Sequence, residues 1–141
     1  MSQPKELTEI IKFARKLHGH VGPFLVIGLK MGVVAKKALN VSDAECTLLR
    51  AGVAVPLHPP FSCLLDGIQV STTCTIGNQR LKIKNSKTIQ ATFRRQKNAK
   101  ILKITLTQNL SEQLKQNKLT EAFAWKLAEL PENQFFNITL E

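Results

Sequence analysis

A short joint between two apolar helical patterns constrains this chain most. Apolar residues recur at helical spacing over residues 4–17. Gly19 follows, and glycine tolerates the left-handed backbone with which many helices end. Pro23 can begin a second helix, because a proline at the first helical position gives up an N–H that has no partner there. The sequence therefore predicts a turn at His18-Gly19-His20 between two helices.

The two histidines of this joint are candidate metal ligands. Residues two apart on a helix point to different sides, whereas in a turn both imidazoles can face one point. The alternative is that one histidine caps the last carbonyls of the first helix and the other is an ordinary surface residue. A third ligand elsewhere in the chain would favour the metal site.

Length and cysteine content limit the class of protein. The 141 residues, 43% of them hydrophobic, suit a single domain over 1–141 with a real core. Three cysteines without a Cys-x-x-Cys spacing argue against a disulfide framework and a zinc ribbon, and indicate a reducing compartment. No secretory signal pattern begins the chain, and no apolar run is long enough to span a membrane. We expect a cytoplasmic protein with no membrane association.

The second helix, predicted over residues 23–39, is apolar around most of its circumference and should be buried at the centre of the domain. Gly28 and Gly32 stand one turn apart on it. In a soluble protein this pair indicates a groove into which another element packs closely.

A third helix is predicted from Pro59 or Pro60, and its polar face carries Cys63 and Asp66. These two residues are three apart and therefore neighbours. The helix dipole is expected to lower the pKa of a thiol in the first turn, which prepares Cys63 as a ligand or nucleophile. Asp66 has three possible roles: an acceptor that orients a ligand, a general base, or a surface carboxylate.

The remaining segments predict a sheet and further helices. A short strand is expected over residues 51–57, and three strands with period-two alternation over 80–84, 87–94 and 100–107 predict an antiparallel meander. Ser111 is expected to cap a helix that starts near Glu112, another helix is expected over 119–130, and residues 135–140 suit an edge strand. The predicted fold class is α+β, with an antiparallel sheet packed against N-terminal helices and with C-terminal helices.

Positive charge is concentrated in the middle of the chain. The net charge is +10, and residues 67–111 contain nine basic side chains and no acidic one. Such a block favours anionic partners. It permits an alternative function as a nucleic-acid-binding module that uses the sheet face over 80–103. Against that alternative, Phe93 is the only aromatic residue of the block and belongs to its apolar side, so no stacking platform is expected.

Three motifs in a fixed order resemble those of the formylmethanofuran dehydrogenase E-subunit family. They are His18-Gly19-His20-x-x-Pro23, Cys63-x-x-Asp66-Gly67-Ile68-Gln69 and Thr72-x-Cys74-Thr75-x-Gly77, and the likeness covers about residues 10–95. The resemblance implies an α+β domain, often a homodimer, that holds a divalent metal, usually zinc, in a cleft built by the His-x-His and Cys motifs. It also implies a role in one-carbon or related metabolism, as an enzyme or as an accessory component of a dehydrogenase complex, with a small anionic substrate or cofactor.

On this basis we predict a ligand set and its neighbours. The metal ligands are His18, His20 and Cys63; the catalytic residues are Asp66 and Cys63; the cofactor-binding residues are Gln69, Thr75 and Asn78. Two imidazoles and one thiolate suit zinc best, with iron or another divalent transition metal as alternatives. Three protein ligands leave a fourth position open, as in catalytic zinc sites.

The chain departs from the family pattern at several positions. Gly22 stands where many members have a cysteine, Thr73 where a glycine is usual, and Asn78 where a lysine is usual. No Cys-x-x-Cys follows Cys74 in this sequence, so we expect the core domain without the C-terminal zinc ribbon that many relatives carry. Cys74 is either a further ligand or a small core residue. Cys46 is expected to be a packing residue, and we do not expect His58 to replace a lost ligand.

Overall fold

A computed structural model describes the backbone of residues 5–141 and the side chains of residues 7–141. The elements are α1 (Lys5–His18), α2 (Pro23–Ala38), a 3-10 helix (Asp43–Leu48), β1 (Leu49–Val55), α3 (Cys63–Thr72), β2 (Leu81–Asn85), β3 (Gln90–Arg95), β4 (Leu102–Leu106), α4 (Gln108–Gln116), α5 (Glu121–Glu129), a short 3-10 helix (Glu132–Gln134) and β5 (Phe136–Leu140). The predicted α+β class is confirmed. The predicted helix start at Pro4 lies outside the described residues. No helix in the described part of the chain is both long and apolar enough to cross a bilayer.

The five strands form one sheet in the order β2-β1-β3-β4-β5. β1 pairs with β2 in parallel, and the other three pairings are antiparallel. The prediction that the strand over 80–84 begins an antiparallel meander was therefore wrong, because β1 lies between β2 and β3. The turn at Asn85 and Ser86 does not close a hairpin; instead, the backbone N–H of Ser86 donates to the carbonyl of Val55. The predicted edge strand at the C-terminal end is confirmed as β5.

The sheet has a covered and an open face. Alternate residues of β1, Ala51, Val53 and Val55 among them, are buried in the common core with the helices. The residues between them, such as Gly52, lie on the other face, as the period of a strand requires. Ile83, which the alternation places on the covered face, is 42% exposed because β2 is an edge strand. We call the face turned away from the helices the outer face.

Glycines bring α2 and α3 into close contact, so the predicted groove is confirmed and its occupant is α3. A Cβ on Gly28 would lie 2.0 Å from the carbonyl oxygen of Leu64, and one on Gly67 would lie 2.2 Å from that of Leu25. A Cβ on Gly32 would lie 1.9 Å from the Ser71 hydroxyl. Because backbone meets backbone here, the position of α3 against α2 is fixed, and with it the positions of the side chains in the first turn of α3.

The C-terminal helices begin earlier or later than predicted. α4 is capped by Thr107, whose hydroxyl accepts from the N–H of Leu110, and not by Ser111. α5 is capped by Thr120, which accepts from Phe123. A threonine directly before each helix satisfies one of the N–H groups that the first turn leaves unpaired.

Candidate metal centre

The joint between α1 and α2 has the predicted conformation. α1 ends at His18, and Gly19 follows with φ of 99°, its N–H donating to the carbonyl of Arg15 at 2.7 Å. Gly22 is extended and Pro23 is the first residue of α2. The local signals of glycine and proline therefore decide where the chain turns.

His18 is joined to Asp66 across the helical layer. Its Nδ1 lies 2.6 Å from Oδ2 of Asp66. An ionised carboxylate can only accept a hydrogen bond, so Nδ1–H donates to Asp66. The other ring nitrogen, Nε2, is buried and is the one buried side-chain polar atom without a hydrogen-bond partner among residues whose side chains are described. A buried unpaired nitrogen costs free energy, and in a neutral ring it presents a lone pair.

His20 lies next to His18, and the centroids of the two rings are 4.8 Å apart. The side chain of His20 is exposed. A Cβ built on Gly22 would lie 3.5 Å from Cε1 and 3.7 Å from Nδ1 of His20, which is ordinary contact. The turn therefore brings both imidazoles to one side of the joint, and it leaves space at position 22 beside the second one.

Cys63 is the first residue of α3 and is half-buried. Burial raises the pKa of its thiol above the ordinary value, and the charge of Asp66 acts in the same direction. The hydrogen bond of its own backbone N–H lowers the pKa but is the smallest of the three effects. The expected lowering by the helix N-terminus was therefore wrong, because desolvation and a neighbouring carboxylate outweigh it.

Asp66 is held from two sides. One carboxylate oxygen accepts from His18, and the other accepts from Nε2 of Gln69 at 3.2 Å. Gln69 was predicted to bind a cofactor, and the structure places its amide on Asp66. Of the roles left open for Asp66, this geometry supports the acceptor that orients an imidazole.

Thr75 and Asn78 form a turn of their own beyond the opposite end of α3. The carboxamide oxygen of Asn78 accepts from the backbone N–H groups of Thr75 and Arg80, both at 3.0 Å, and its NH₂ donates to the carbonyl of Thr73. α3 has ten residues, so about 15 Å of helix separates this turn from the first turn of α3. The structure does not bring Thr75 and Asn78 to the His18–Asp66 pair, and their cofactor-binding role stays a prediction.

The other two cysteines are packing residues, and the third histidine contacts a phenylalanine. Cys74 is fully buried in the core, and its Sγ lies 3.3 Å from the carbonyl of Leu49. Cys46 is buried as expected. His58 is exposed on the turn before α3, and its ring makes a T-shaped contact with that of Phe61. Of the two alternatives for Cys74, the structure supports the core residue.

Glu121 of α5 lies beside this joint and was missed by sequence reasoning. Its carboxylate accepts from Arg15 at 2.6 Å and from the indole N–H of Trp125 at 3.0 Å. The hydrogen bond from Trp125 is the largest cause that lowers the pKa of Glu121 below its usual value, and the hydrogen bond from Arg15 is the next. The charge of His20 acts in the same direction. No local signal could have found this contact, because Arg15 and Glu121 are 106 residues apart in the chain.

The structure thus assembles His18, His20 and Asp66, and places Cys63 in the same first turn of α3 as Asp66. Over residues 7–141, no three His, Cys, Asp or Glu side chains are already arranged as a metal-binding group. The ligand set of His18, His20 and Cys63 therefore stays a prediction.

The comparison that decides the family covers most of the chain. A family model described as "FmdE, Molybdenum formylmethanofuran dehydrogenase operon" matches residues 17–137. The chain belongs to the FmdE family. The matched residues include the last two residues of α1, all of α2 and α3 and most of the sheet, so the His18–Asp66 pair lies within the FmdE domain.

A solved structure has the same fold. It is the crystal structure of a tungsten formylmethanofuran dehydrogenase FmdE-like protein from Syntrophus aciditrophicus, which superposes with a TM-score of 0.66 at 16% sequence identity. The match covers 100% of this FmdE chain and 76% of the other. At that identity the likeness shows the fold.

A curated relative shares part of the sequence. A probable S-adenosyl-L-methionine-binding protein of Archaeoglobus fulgidus is 34% identical over 76 residues, which are 54% of this FmdE chain. The same residues are 20% of that relative, so the match spans about a fifth of its length.

Proposed function

We propose that this FmdE domain binds a divalent transition metal, zinc or iron, at the joint between α1 and α2, and that it serves one-carbon or related metabolism as a metal-dependent enzyme or as an accessory component of a formylmethanofuran dehydrogenase-like complex. The observation that supports the metal site is the geometry of His18, whose Nδ1 bonds to Asp66 while its buried Nε2 has no hydrogen-bond partner among the described residues.

This arrangement is typical of histidines that ligate metals. Such a histidine almost always donates its second ring N–H to a carboxylate or carbonyl, which fixes the tautomer and the direction of the ring. In this chain Asp66 supplies the carboxylate, and Nε2 is left as the nitrogen that carries a lone pair. A cation at Nε2 would also satisfy a buried atom that residues 7–141 leave unpaired.

His20 and Cys63 would complete the ligand set. The ring of His20 is adjacent to that of His18, and Cys63 belongs to the same helical turn as Asp66. The raised pKa of Cys63 keeps the thiol protonated in the metal-free protein, and a cation would displace that proton on binding. A metal with three protein ligands would supply Lewis acidity at its remaining position.

Asp66 is a positioning residue in this proposal. It holds the imidazole of His18, and Gln69 in turn holds Asp66. Glu121 and Arg15 connect α5 to α1 next to the exposed His20 and so border the side from which a substrate would approach.

Elemental analysis of the full chain, purified without added metal, tests the proposal. We expect close to one zinc or iron per chain, and we expect His18→Ala and Cys63→Ser each to abolish it. His58→Ala is the matched control, because His58 is an exposed histidine near α3 that the proposal leaves out.

A second measurement does not depend on what the expression host supplies. Titration of the metal-stripped chain with Zn²⁺ should raise its melting temperature, since a ligand that binds only the folded state stabilises it. A metal content and a zinc-dependent melting temperature that are the same in the wild type, His18→Ala and Cys63→Ser proteins would contradict the proposal.

The alternative function in nucleic-acid binding gains no support. Phe93 is 1% exposed and belongs to the core, so the basic block presents no aromatic ring on which bases could stack.

A further inference from the structure

A second candidate site lies on the outer face of the sheet, away from the metal centre. A groove of about 240 Å³ crosses β2, β1 and β3 there. Its lining includes Arg50, Arg80, Lys82 and Arg94, together with Thr92 and Ile101, and contains no Asp or Glu of the described residues. We propose that this groove binds the diphosphate group of a small molecule.

The strand register places three arginines in one row. Arg50 of β1 is directly opposite Arg94 of β3. Arg80 precedes Leu81, the partner of Ala51 on the other side of β1, so Arg80 lies next to Arg50. Neighbouring strands are about 4.8 Å apart, and like charges directly opposite one another destabilise a sheet. An anion bound over the row would remove this repulsion.

The next row of residues across the three strands is Lys82, Gly52 and Thr92, and it forms the floor and another wall of the groove. Gly52 is flanked by Lys82 on one side and by Thr92 on the other. Gly52 has no side chain, so the sheet is open to a ligand at this point. The ammonium of Lys82 lies on one side of the opening and the hydroxyl of Thr92 on the other. A Cβ at position 52 would approach the Thr92 hydroxyl to 3.0 Å.

Two of the arginines are already fixed in place. The guanidinium of Arg80 donates to the carbonyls of Cys46 and Thr73, and that of Arg50 donates to the carbonyl of Thr47 at 2.7 Å. Each guanidinium has five N–H donors, so several remain for a ligand. Donors that are held before binding lose little entropy on binding.

Within the part of the chain whose side chains are described, no carboxylate neutralises the cations of the groove. None of the four forms a salt bridge with a described Asp or Glu, whereas Arg95, the next residue after Arg94, pairs with Glu45 at 3.1 Å. A carboxylate therefore neutralises Arg95, whereas the four cations of the groove keep their positive charge. Four cations suit an anion of high charge, and arginine forks match phosphate oxygens.

The size and surroundings of the groove favour a small molecule. Its volume lies below the roughly 300–1,000 Å³ of pockets that enclose whole drug-sized ligands. The groove therefore accommodates one group of a ligand, the diphosphate, rather than the whole molecule. The organic part of the ligand would lie against the exposed side chain of Ile101. A single-stranded nucleic acid would need exposed aromatic rings, and Phe93, the aromatic residue of the lining, is 1% exposed.

Calorimetric titration of the full chain with inorganic pyrophosphate tests this. We expect saturable binding of one pyrophosphate per chain that weakens as salt is added. Arg94→Gln and Lys82→Gln should each weaken it about tenfold, because each removes a charged hydrogen-bond donor. Gly52→Val should weaken it without changing any charge. Lys87→Gln, which removes a charge from the same basic block outside the groove, should not weaken it.

Two further measurements distinguish binding in this groove from other causes of pyrophosphate binding. His18→Ala should keep full pyrophosphate affinity, because the proposed metal centre is in the helical layer. Loss of pyrophosphate binding in that variant alone would mean that a metal holds the anion, and it would overturn the proposal. Citrate of similar charge should bind about tenfold more weakly than pyrophosphate. Equal binding of citrate, equal losses in Lys87→Gln, no saturable binding, or tighter binding of a mixed-sequence single-stranded oligonucleotide would each overturn it.

Discussion

His18 and Asp66, 48 residues apart in the chain, share a hydrogen bond of 2.6 Å that joins the last residue of α1 to the first turn of α3. The contact depends on two separate local structures. Gly19 and Pro23 end one helix and start the next, and close contact at Gly28 and Gly67 fixes where α3 lies.

Replacement of Asp66 by Asn should weaken metal binding while the fold is kept. The amide can no longer act as a charged acceptor for Nδ1–H of His18, and loss of such an orienting partner typically lowers metal affinity about 10–100-fold. Competition with a chelator of known affinity measures this. Glu129→Gln, at an exposed position on α5, is the control, and an Asp66→Asn protein with wild-type zinc affinity would show that Asp66 does not orient a ligand.

Replacement of Gly22 by Cys should strengthen metal binding. The new side chain would begin 3.5 Å from the ring of His20 without a clash, and the backbone of Gly22 has an ordinary extended conformation. A fourth ligand would close the open position, as in structural zinc sites. Gly22→Ser is the matched control, because it differs by oxygen in place of sulfur. Equal zinc affinities of the Cys and Ser variants would place the metal elsewhere.

Replacement of Gly28 or Gly67 by Ala should destabilise the domain by about 3 kcal/mol, the upper part of the usual cost of overpacking, because the added Cβ meets backbone that cannot move aside. Helix propensity alone predicts the opposite sign, a gain of about 1 kcal/mol. Urea denaturation measures the difference. Gly77→Ala is the control, since a Cβ there comes no closer than 3.9 Å to Thr75.

Lys30 should make stability depend on pH in the alkaline range. Its side chain is buried, and its ammonium donates to the carbonyls of Leu127 and Leu130 at the end of α5 and lies 4.4 Å from the ring centroid of Phe135. Burial lowers the pKa of Lys30 from 10.5 to about 8. Between these two pKa values the unfolded chain binds more protons than the folded one, so the free energy of unfolding should rise as the pH is raised from 8 to 10.5.

The comparison with Lys30→Met isolates this effect. Methionine keeps the apolar contacts but leaves the two carbonyls unpaired, so we expect a loss of about 1–3 kcal/mol at pH 7. The rise in stability above pH 8 should be smaller in the variant than in the wild type, as measured by denaturation at several pH values. Identical pH dependence in both proteins would rule out a lowered pKa for Lys30.

Local chemistry made much of the fold predictable. The turn at His18-Gly19-His20, the start of α2 at Pro23, the close packing at Gly28 and the covered position of Phe93 were all predicted, and the structure confirms them. Each depends on the conformational range of one residue type or on the spacing of apolar residues, which neighbours in the chain decide.

The order of the strands and the electrostatics of the site were beyond such signals. Alternation predicted a strand over residues 80–84, but it did not predict that this strand, observed as β2, pairs with β1 in parallel. A helix N-terminus favours a thiolate at Cys63, but the burial and the nearby carboxylate that raise its pKa come from tertiary packing.

The sequence by itself determined which segments are helices and strands, where the chain turns at the joint, and that positive charge gathers between residues 67 and 111. Only the tertiary structure decided that Asp66 holds His18 and that Arg80, Arg50 and Arg94 form one row across three strands. The physical reason is range: dihedral preferences and periodicity act between chain neighbours, whereas a hydrogen bond across 48 residues or a row of charges depends on how whole elements pack.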